Sequence, residues 1–266
     1  MSVETLLKKD KYTPDDLRDI MEILRGEGGC PWDREQDHKT IRNNFIEEVY
    51  EVVEGIDTDN DEIIKEELGD VLLQVVFHAR IAEEAGKYNL DDVADGVCKK
   101  LILRHPHIFS DVKVKDSEEV LKNWDEIKKT EKSQKSATDT LKGVSASLPA
   151  LVRAAKISGK AAKTGFEYPE IDGAIDKVTE EFSEVKAEIA KNNTCGVAEE
   201  IGDLLFAVAN LARMCGVNAE EALYKTNEKF IGRFGKMEEL AKENGKELLL
   251  LNISEKIKLW NMSKQL

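Results

Sequence analysis

Apolar residues along this chain recur every three or four positions, which is the period of an amphipathic helix, and they seldom alternate with polar residues as in a strand. The first clear case follows Thr13 and Pro14, where Leu17, Met21 and Leu24 mark one face. A threonine N-cap with proline in the first turn is typical of a helix start. Only five prolines interrupt the 266 residues. The pattern predicts an all-α protein.

Two further helices are predicted to be apolar on most of their sides. The first reads VLLQVVF over residues 71–77, and the second reads LLFAVA over residues 204–209. Helices with so little polar surface are expected to lie in a core. Each one follows another predicted helix. In the first half the pair covers residues 40–56 and a segment that ends near Ala85, with a polar turn at residues 57–61.

Four acidic residues repeat in both halves of the chain at one constant displacement. The pattern is E-x-x-E, then fifteen residues, then E-x-x-D, and every member of the second copy lies 133 positions after its counterpart. Residues three apart share a helix face, so each pair of carboxylates points the same way. A lone acidic pair is more often a solvated surface, but two matched pairs that recur together indicate a site. The acids are Glu48, Glu51, Glu67 and Asp70 in the first half and Glu181, Glu184, Glu200 and Asp203 in the second.

Carboxylates gathered at the edge of a core repel one another or take up protons unless a cation neutralises them. A set of oxygen ligands suits Mg²⁺ or Mn²⁺ rather than zinc or a softer metal. The sequence therefore predicts that each set of acids binds Mg²⁺, with Mn²⁺ as a substitute. Gly69 and Gly202 lie between the second pair of acids in each half. Close helix packing or the approach of a ligand would account for a glycine inside a helix.

The composition limits the classes of function. The chain has 41% hydrophobic and 35% charged residues and a net charge of −14, which argues against a surface for nucleic acid or for an anionic membrane. Nucleotides stay compatible, because a bound cation and a few basic side chains hold phosphate locally. The four cysteines form no CxxC pair and are expected to be free thiols. With no apolar signal core or transmembrane stretch in the sequence, we expect a cytoplasmic protein.

A polar segment rich in Lys, Ser and Thr separates the halves. It predicts an N-terminal helical domain over residues 1–128, a linker over residues 129–145 and a C-terminal helical domain over residues 146–266. Each domain holds about four main helices, so we expect two copies of one four-helix-type unit, of the kind that completes its bundle by pairing.

Basic residues beyond the acids also correspond between the halves. After a change of four residues in loop length, Lys100 falls on Lys229 and Arg104 falls on Arg233. Mg²⁺ held by carboxylates beside such cations is the minimum that binds a polyphosphate, where the metal can lower the pKa of a water and the cations balance phosphate charge. A free carboxylate can accept the proton of that water. The reaction class that follows is hydrolysis of a phosphoanhydride, although this reasoning does not say which bond is cleaved.

Several short motifs accompany the duplicated acids: GCPWD at residues 29–33, RHPHIF at residues 104–109 and KTNEKFIGRF at residues 225–234. Together they resemble the MazG family of nucleoside triphosphate pyrophosphohydrolases, in its long two-domain form, over almost the whole chain. The resemblance implies the all-α NTP-pyrophosphohydrolase fold, a homodimer and a requirement for Mg²⁺. It also implies hydrolysis of nucleoside triphosphates to monophosphate and pyrophosphate with broad base tolerance, in nucleotide-pool cleaning or stress regulation.

The same resemblance implies roles for residues of the second half. Its four acids would bind the metal and form the catalytic set. The residues implied in binding the nucleotide are Lys177, Asn227, Lys229, Arg233 and Trp260. Considered without the resemblance, Lys177 could equally pair with a glutamate one turn away, and Trp260 could be part of a core.

The two halves are not equally equipped. The position of Lys177 is occupied by Asn44 in the first half, and the position of Asn227 is occupied by Cys98. The first half keeps its acids but lacks these two polar contacts. We therefore predict that the C-terminal half is the main catalytic domain.

Two other functions stay open from the sequence. One is a non-catalytic helical module that senses nucleotides, for which saturable binding without turnover would be diagnostic. The other is a dUTP- or dCTP-selective pyrophosphatase of the same all-α type, which a comparison of rates among triphosphates would reveal. The sequence alone identifies no residue that reads the base.

Overall fold

The computed structural model describes residues 2–131 and 136–264, and that part of the chain contains helices and no strand. The prediction of an all-α protein is confirmed. The chain divides into two compact units, Met1–Lys128 and Lys129–Leu266, called unit 1 and unit 2 below. No helix in the described ranges is both long enough and apolar enough to cross a membrane.

Unit 1 is built on a hairpin of two long helices against which a shorter helix packs. α4 (Arg42–Asp57) and α5 (Asp61–Glu84) pack along each other, and α2 (Pro14–Arg25) lies against α5. The start of α2 is as predicted, because Thr13 Oγ1 accepts from the backbone N–H of Asp16 at 3.4 Å and Pro14 occupies the first turn. The helices are α1 (Val3–Leu6), α2 (Pro14–Arg25), α3 (Pro31–Glu35), α4 (Arg42–Asp57), α5 (Asp61–Glu84), α6 (Leu90–Arg104), α7 (Pro106–Phe109) and α8 (Ser117–Glu131).

The core of unit 1 lies between α2 and α5. Met21, Ile41, Val76 and Phe77 are at most 4% exposed and contact one another. The guanidinium of Arg25 lies 5.2 Å from the ring centre of Phe77. Burial of these large side chains is the main stabilising contribution in this part of the chain.

Unit 2 repeats the hairpin. α11 (Ile171–Ala190) and α12 (Thr194–Met214) pack along each other, α10 (Ala150–Ala162) lies against α12, and α13 (Ala219–Glu243) pairs with α14 (Ile253–Ser263). The elements are α9 (Ala137–Lys142), α10 (Ala150–Ala162), α11 (Ile171–Ala190), α12 (Thr194–Met214), α13 (Ala219–Glu243), a 3₁₀ turn (Leu248–Leu250) and α14 (Ile253–Ser263).

The turns of the two hairpins also correspond. Asp59 has a φ of 51° between α4 and α5, and Asn192 has a φ of 54° between α11 and α12. These two positions are separated by the same displacement as the acids. Asp and Asn are the side chains that best tolerate the left-handed region. The repeat therefore extends to the backbone of the turn that brings the acids of each hairpin together.

α12 is less buried than its apolar sequence predicts. Only Ala207 and Ala209 are buried, whereas Leu205, Phe206 and Val208 are 51%, 42% and 41% exposed. The reason is that α10 and α11 cover only part of the circumference of α12. The prediction of a helix enclosed on most sides is therefore wrong for the single chain.

The two helical glycines have free space around them. A Cβ atom built on Gly69 or on Gly202 would meet nothing within 4 Å in the part of the chain that the structure describes. Packing inside the chain does not require glycine at either position, so of the two explanations offered by the sequence, close packing of this chain's own helices is excluded.

The predicted linker lies only partly within the described residues, because residues 132–135 fall outside them. Beyond that gap, Ser136 caps α9, which packs against α10. The C-terminal part of the segment is thus a short helix of unit 2.

Candidate active site

The hairpin of unit 2 brings three of its four predicted acids together. Glu181 and Glu184 lie on α11, and Glu200 lies near the start of α12. Each offers a carboxylate oxygen, and these three oxygens lie within 4.8 Å of one another. Two residues three apart on α11 face α12 because the turn between the helices folds them side by side.

Glu181 is the buried member of this cluster. It is 4% exposed, and its Oε1 accepts from Lys177 Nζ at 2.6 Å. Its Oε2 is buried and has no hydrogen-bond partner among the described residues. A buried carboxylate oxygen without a donor is costly, so the site is incomplete without a further cation or donor.

The neighbouring acids have perturbed pKa values. Desolvation, followed by the neighbouring carboxylate of Glu181, raises the pKa of Glu184. Desolvation, followed by the charges of Glu184 and Glu181, raises the pKa of Glu200. The cause in both cases is that removal from water and nearby negative charge disfavour ionisation. The negative charge of the cluster therefore favours the binding of a cation.

Lys177 supplies part of the balancing charge. Its ammonium lies 2.6 Å from Glu181 Oε1 and 2.9 Å from Glu180 Oε1. Hydrogen bonds to these two glutamates raise the pKa of Lys177 above its usual value, so the side chain is charged throughout the neutral range. The ion pair of Lys177 with a glutamate one turn away, which the sequence alone also allowed, is present, and it holds the ammonium beside the acids.

Asp203 lies at the edge of the cluster rather than inside it. Its charge contributes to the raised pKa of Glu200. It also lines a cavity together with Glu181 and Lys177. Asp203 thus acts electrostatically on Glu200 and also forms part of the cavity wall.

Unit 1 holds a similar cluster with a different environment. Glu48, Glu67 and Asp70 each offer an oxygen within 4.8 Å of the others. Desolvation raises the pKa of both Glu48 and Glu67, and the charge of Glu51 contributes to both shifts. Glu51 therefore lies close to this cluster, although its oxygens are not part of the close set. Asn44 stands where unit 2 has its lysine.

The remaining predicted residues lie on α13 and α14. Asn227 and Lys229 are exposed, and Arg233 is half-buried. Trp260 packs against Phe230, with ring centres 4.9 Å apart. Within residues 136–264, no hydrogen bond or ion pair connects these side chains to the acids of the hairpin. Their roles in nucleotide binding stay predictions.

A cavity of about 820 Å³ opens beside the acids of unit 2. Its walls come from α10, α11, α12 and the loop that contains Phe166 and Tyr168. Asn210 and Arg213 also line it, and neither was singled out from the sequence. The signal that could have found Asn210 is an amide in a helix that is otherwise apolar, at the position where the first half has Phe77.

Comparison with known proteins gives a consistent result. The family described as the MazG nucleotide pyrophosphohydrolase domain matches the chain twice, over residues 36–109 and residues 172–237. Each matched range contains one complete set of four acids.

Individual relatives match over most of the chain. The chain is 41% identical over 254 residues to the nucleoside triphosphate pyrophosphohydrolase of Escherichia coli K12. This alignment covers 94% of this chain and 97% of that protein. The chain is 42% identical over 250 residues to the nucleoside triphosphate pyrophosphohydrolase/pyrophosphatase MazG of Thermotoga maritima. This alignment covers 94% of this chain and 95% of that protein.

Proposed function

Because the chain belongs to the MazG nucleotide pyrophosphohydrolase family, we propose that it hydrolyses nucleoside triphosphates to nucleoside monophosphate and pyrophosphate, chiefly in unit 2. The observation that carries the proposal is the cluster of Glu181, Glu184 and Glu200, whose oxygens lie within 4.8 Å beside a lysine and a cavity. Carboxylates, a cation and a concave space are the components that hydrolysis of a phosphoanhydride needs.

The donor set fits Mg²⁺. The close ligand atoms in unit 2 are all carboxylate oxygens, which hard divalent cations prefer. The partnerless Oε2 of Glu181 is one such oxygen. Glu181, Glu184, Glu200 and Asp203 would hold the ion, which when bound neutralises the acids and the phosphate chain and polarises the bond to be cleaved.

The protein's own side chains divide the remaining tasks. In this proposal Lys177 contacts the triphosphate, which is supported by its ammonium lying at the acids and by its side chain being 35% exposed. A carboxylate oxygen of the cluster that stays free of the ion accepts the proton of the attacking water.

Product analysis tests the proposed function. With Mg²⁺ present, phosphorus NMR of an ATP reaction is expected to show AMP and pyrophosphate in equal amounts, and chelation by EDTA is expected to stop the reaction. ADP with orthophosphate would contradict the proposal. Saturable binding without turnover would favour the nucleotide-sensing module instead. A rate on dUTP or dCTP far above the rates on the four standard triphosphates would favour the selective pyrophosphatase.

We also propose that the protein is a homodimer in which the exposed side of the α11–α12 hairpin is covered. The support is the exposed run of Leu205 and Val208 on α12, together with the open space at Gly202. Exposed apolar side chains that adjoin on one helix face are typical of an interface. Leu205→Glu is expected to convert the protein to a monomer in sedimentation velocity. Leu7→Glu, which replaces an equally apolar but more exposed residue at the end of α1, is the control and should leave the dimer intact.

A further inference from the structure

The acids Glu181 and Asp203 form one part of the cavity wall in unit 2. The polar side chains of Asn210 and Arg213 form another part, further along α12. Asp203, Phe206, Asn210 and Arg213 all line the cavity, and they recur at the spacing of one helix face. At 1.5 Å per residue, Asn210 lies about 10 Å along the helix axis from Asp203. A base that is attached through ribose to a phosphate held near Asp203 reaches this part of the wall.

Asn210 and Glu167 each have a hydrogen-bonding atom that their contact with Arg213 does not use. Asn210 Oδ1 accepts from Arg213 Nη2 at 2.9 Å and from Arg213 Nε at 3.2 Å. Arg213 Nη2 also donates to Glu167 Oε1. Because Asn210 turns its oxygen toward the guanidinium, its Nδ2 stays available as a donor, and Oε2 of Glu167 stays available as an acceptor. Both side chains line the cavity and contact Arg213, so a donor and an acceptor are present there for the polar atoms on the edge of a nucleobase.

Aromatic and apolar side chains complete the cavity. Phe166, Tyr168 and Phe206 line it, together with Ile157 and Leu141 from α10 and α9. A mostly apolar cavity with a few placed polar groups is the usual form of a small-molecule site. Its volume of about 820 Å³ leaves room for a purine with its ribose.

The same region of unit 1 is filled. Phe77, which occupies the position of Asn210, is 4% exposed in the core of unit 1. Arg80, which occupies the position of Arg213, is held by Glu84 at 3.0 Å. Unit 2 has Val217 where unit 1 has Glu84, so its arginine is not held there and reaches the loop residue Glu167 instead. At this position unit 2 therefore has a polar side chain on a cavity wall, whereas unit 1 has an aromatic ring packed in its core.

We propose that this cavity receives the nucleobase of the triphosphate and that Asn210, held by Arg213, and Glu167 form hydrogen bonds with its edge. The proposal rests on the proposed function in taking a nucleoside triphosphate as the ligand. It assigns recognition of the base to unit 2 alone, and it gives a physical reason for the proposed difference in activity between the two equally acidic hairpins.

Asn210→Phe tests the proposal by giving unit 2 the ring that fills unit 1. The variant is expected to raise KM for ATP and GTP on the order of tenfold, which corresponds to the loss of one good contact region. Inorganic tripolyphosphate carries the phosphate chain without a base, so its inhibition constant with Mg²⁺ should change less than about twofold. An unchanged KM, or an equal weakening of tripolyphosphate, overturns the proposal.

Two further variants keep the test independent of folding. Ala161→Leu narrows the cavity from α10 and is expected to show the same separation between nucleotides and tripolyphosphate if Asn210→Phe does not fold. Glu167→Gln is expected to change the ratio of kcat/KM for GTP and ATP, whose edges place donors and acceptors differently. Glu170→Gln, three residues on and exposed, is the matched control. A Glu167→Gln variant with the wild-type ratio contradicts the role of Glu167.

The outcomes separate this inference from the proposed function. If the wild-type protein releases no pyrophosphate, the proposed function fails, and calorimetry of ATP against tripolyphosphate binding to wild type and Asn210→Phe still tests the cavity. If turnover is as proposed and both cavity variants bind ATP like wild type, only the inference fails.

Discussion

Glu200→Gln is expected to lower Mg²⁺-dependent hydrolysis of nucleoside triphosphates by about a hundredfold or more. Glu200 contributes one of the three close oxygens of unit 2, and an amide in its place offers a neutral oxygen without negative charge. The loss of one charged ligand weakens the binding of Mg²⁺, and therefore also the binding of the triphosphate that the ion holds. The measurement is kcat/KM for ATP at saturating Mg²⁺.

Glu67→Gln is the matched change in unit 1 and is expected to keep most of the activity. Glu67 belongs to an equally close set of oxygens, but Asn44 replaces the lysine and Phe77 fills the neighbouring space. Equal losses from the two substitutions would contradict the assignment of catalysis to unit 2. A larger loss from Glu67→Gln would reverse it.

Lys177→Met is expected to have the second largest effect, in both stability and activity. Without Mg²⁺ the ammonium is the charge that Glu181 contacts, at 2.6 Å, and its removal leaves a buried carboxylate unpaired. The melting temperature in EDTA should fall by about 3 °C or more. Saturating Mg²⁺ should remove most of that difference, because the ion then balances the acids.

The activity of Lys177→Met separates its two roles. If the lysine contacts the triphosphate, kcat/KM falls about tenfold or more even at saturating Mg²⁺, where stability is restored. Lys236→Met, at an exposed position of α13, removes the same charge away from the acids and serves as the control. Full activity of Lys177→Met with Mg²⁺ would leave the lysine with a structural role only.

The pH dependence of the Lys177 pair follows from the direction of its pKa. A lysine whose pKa is raised in the folded state contributes stability that is present below its unfolded pKa and is lost as pH rises through the higher folded value. The pair is therefore intact across the neutral range, and the effects above should not vary between about pH 7 and pH 8.

Much of the fold could be predicted because its information is local. Period, caps and turn residues are properties of adjacent positions, so the helices and the hairpins around Asp59 and Asn192 follow from short stretches of sequence. The constant displacement of the acids then predicts that each hairpin gathers its carboxylates. The structure shows that three of the four in each unit have oxygens within 4.8 Å.

Burial was predicted less well because it depends on which elements meet. The apolar sequence of α12 predicts enclosure, yet Leu205 and Val208 are exposed in the single chain. An apolar residue indicates a preference for contact and does not say whether the contact is within the chain or with another copy. The free space beside Gly202 in the single chain is likewise open to contact by another copy.

The amino-acid sequence by itself determined the all-α class, the duplicated acids, the oxygen-only character of the ligands and the loss of the lysine from the first half, because each depends on residue type and spacing along a helix. Only the tertiary structure decided that Oε2 of Glu181 is buried with no partner among the described residues, and that a cavity adjoins these acids in unit 2. It also decided that Arg213 meets Asn210 and Glu167 there. The physical reason is that a cavity and an unpaired atom are properties of how distant segments pack, and no single segment of sequence carries them.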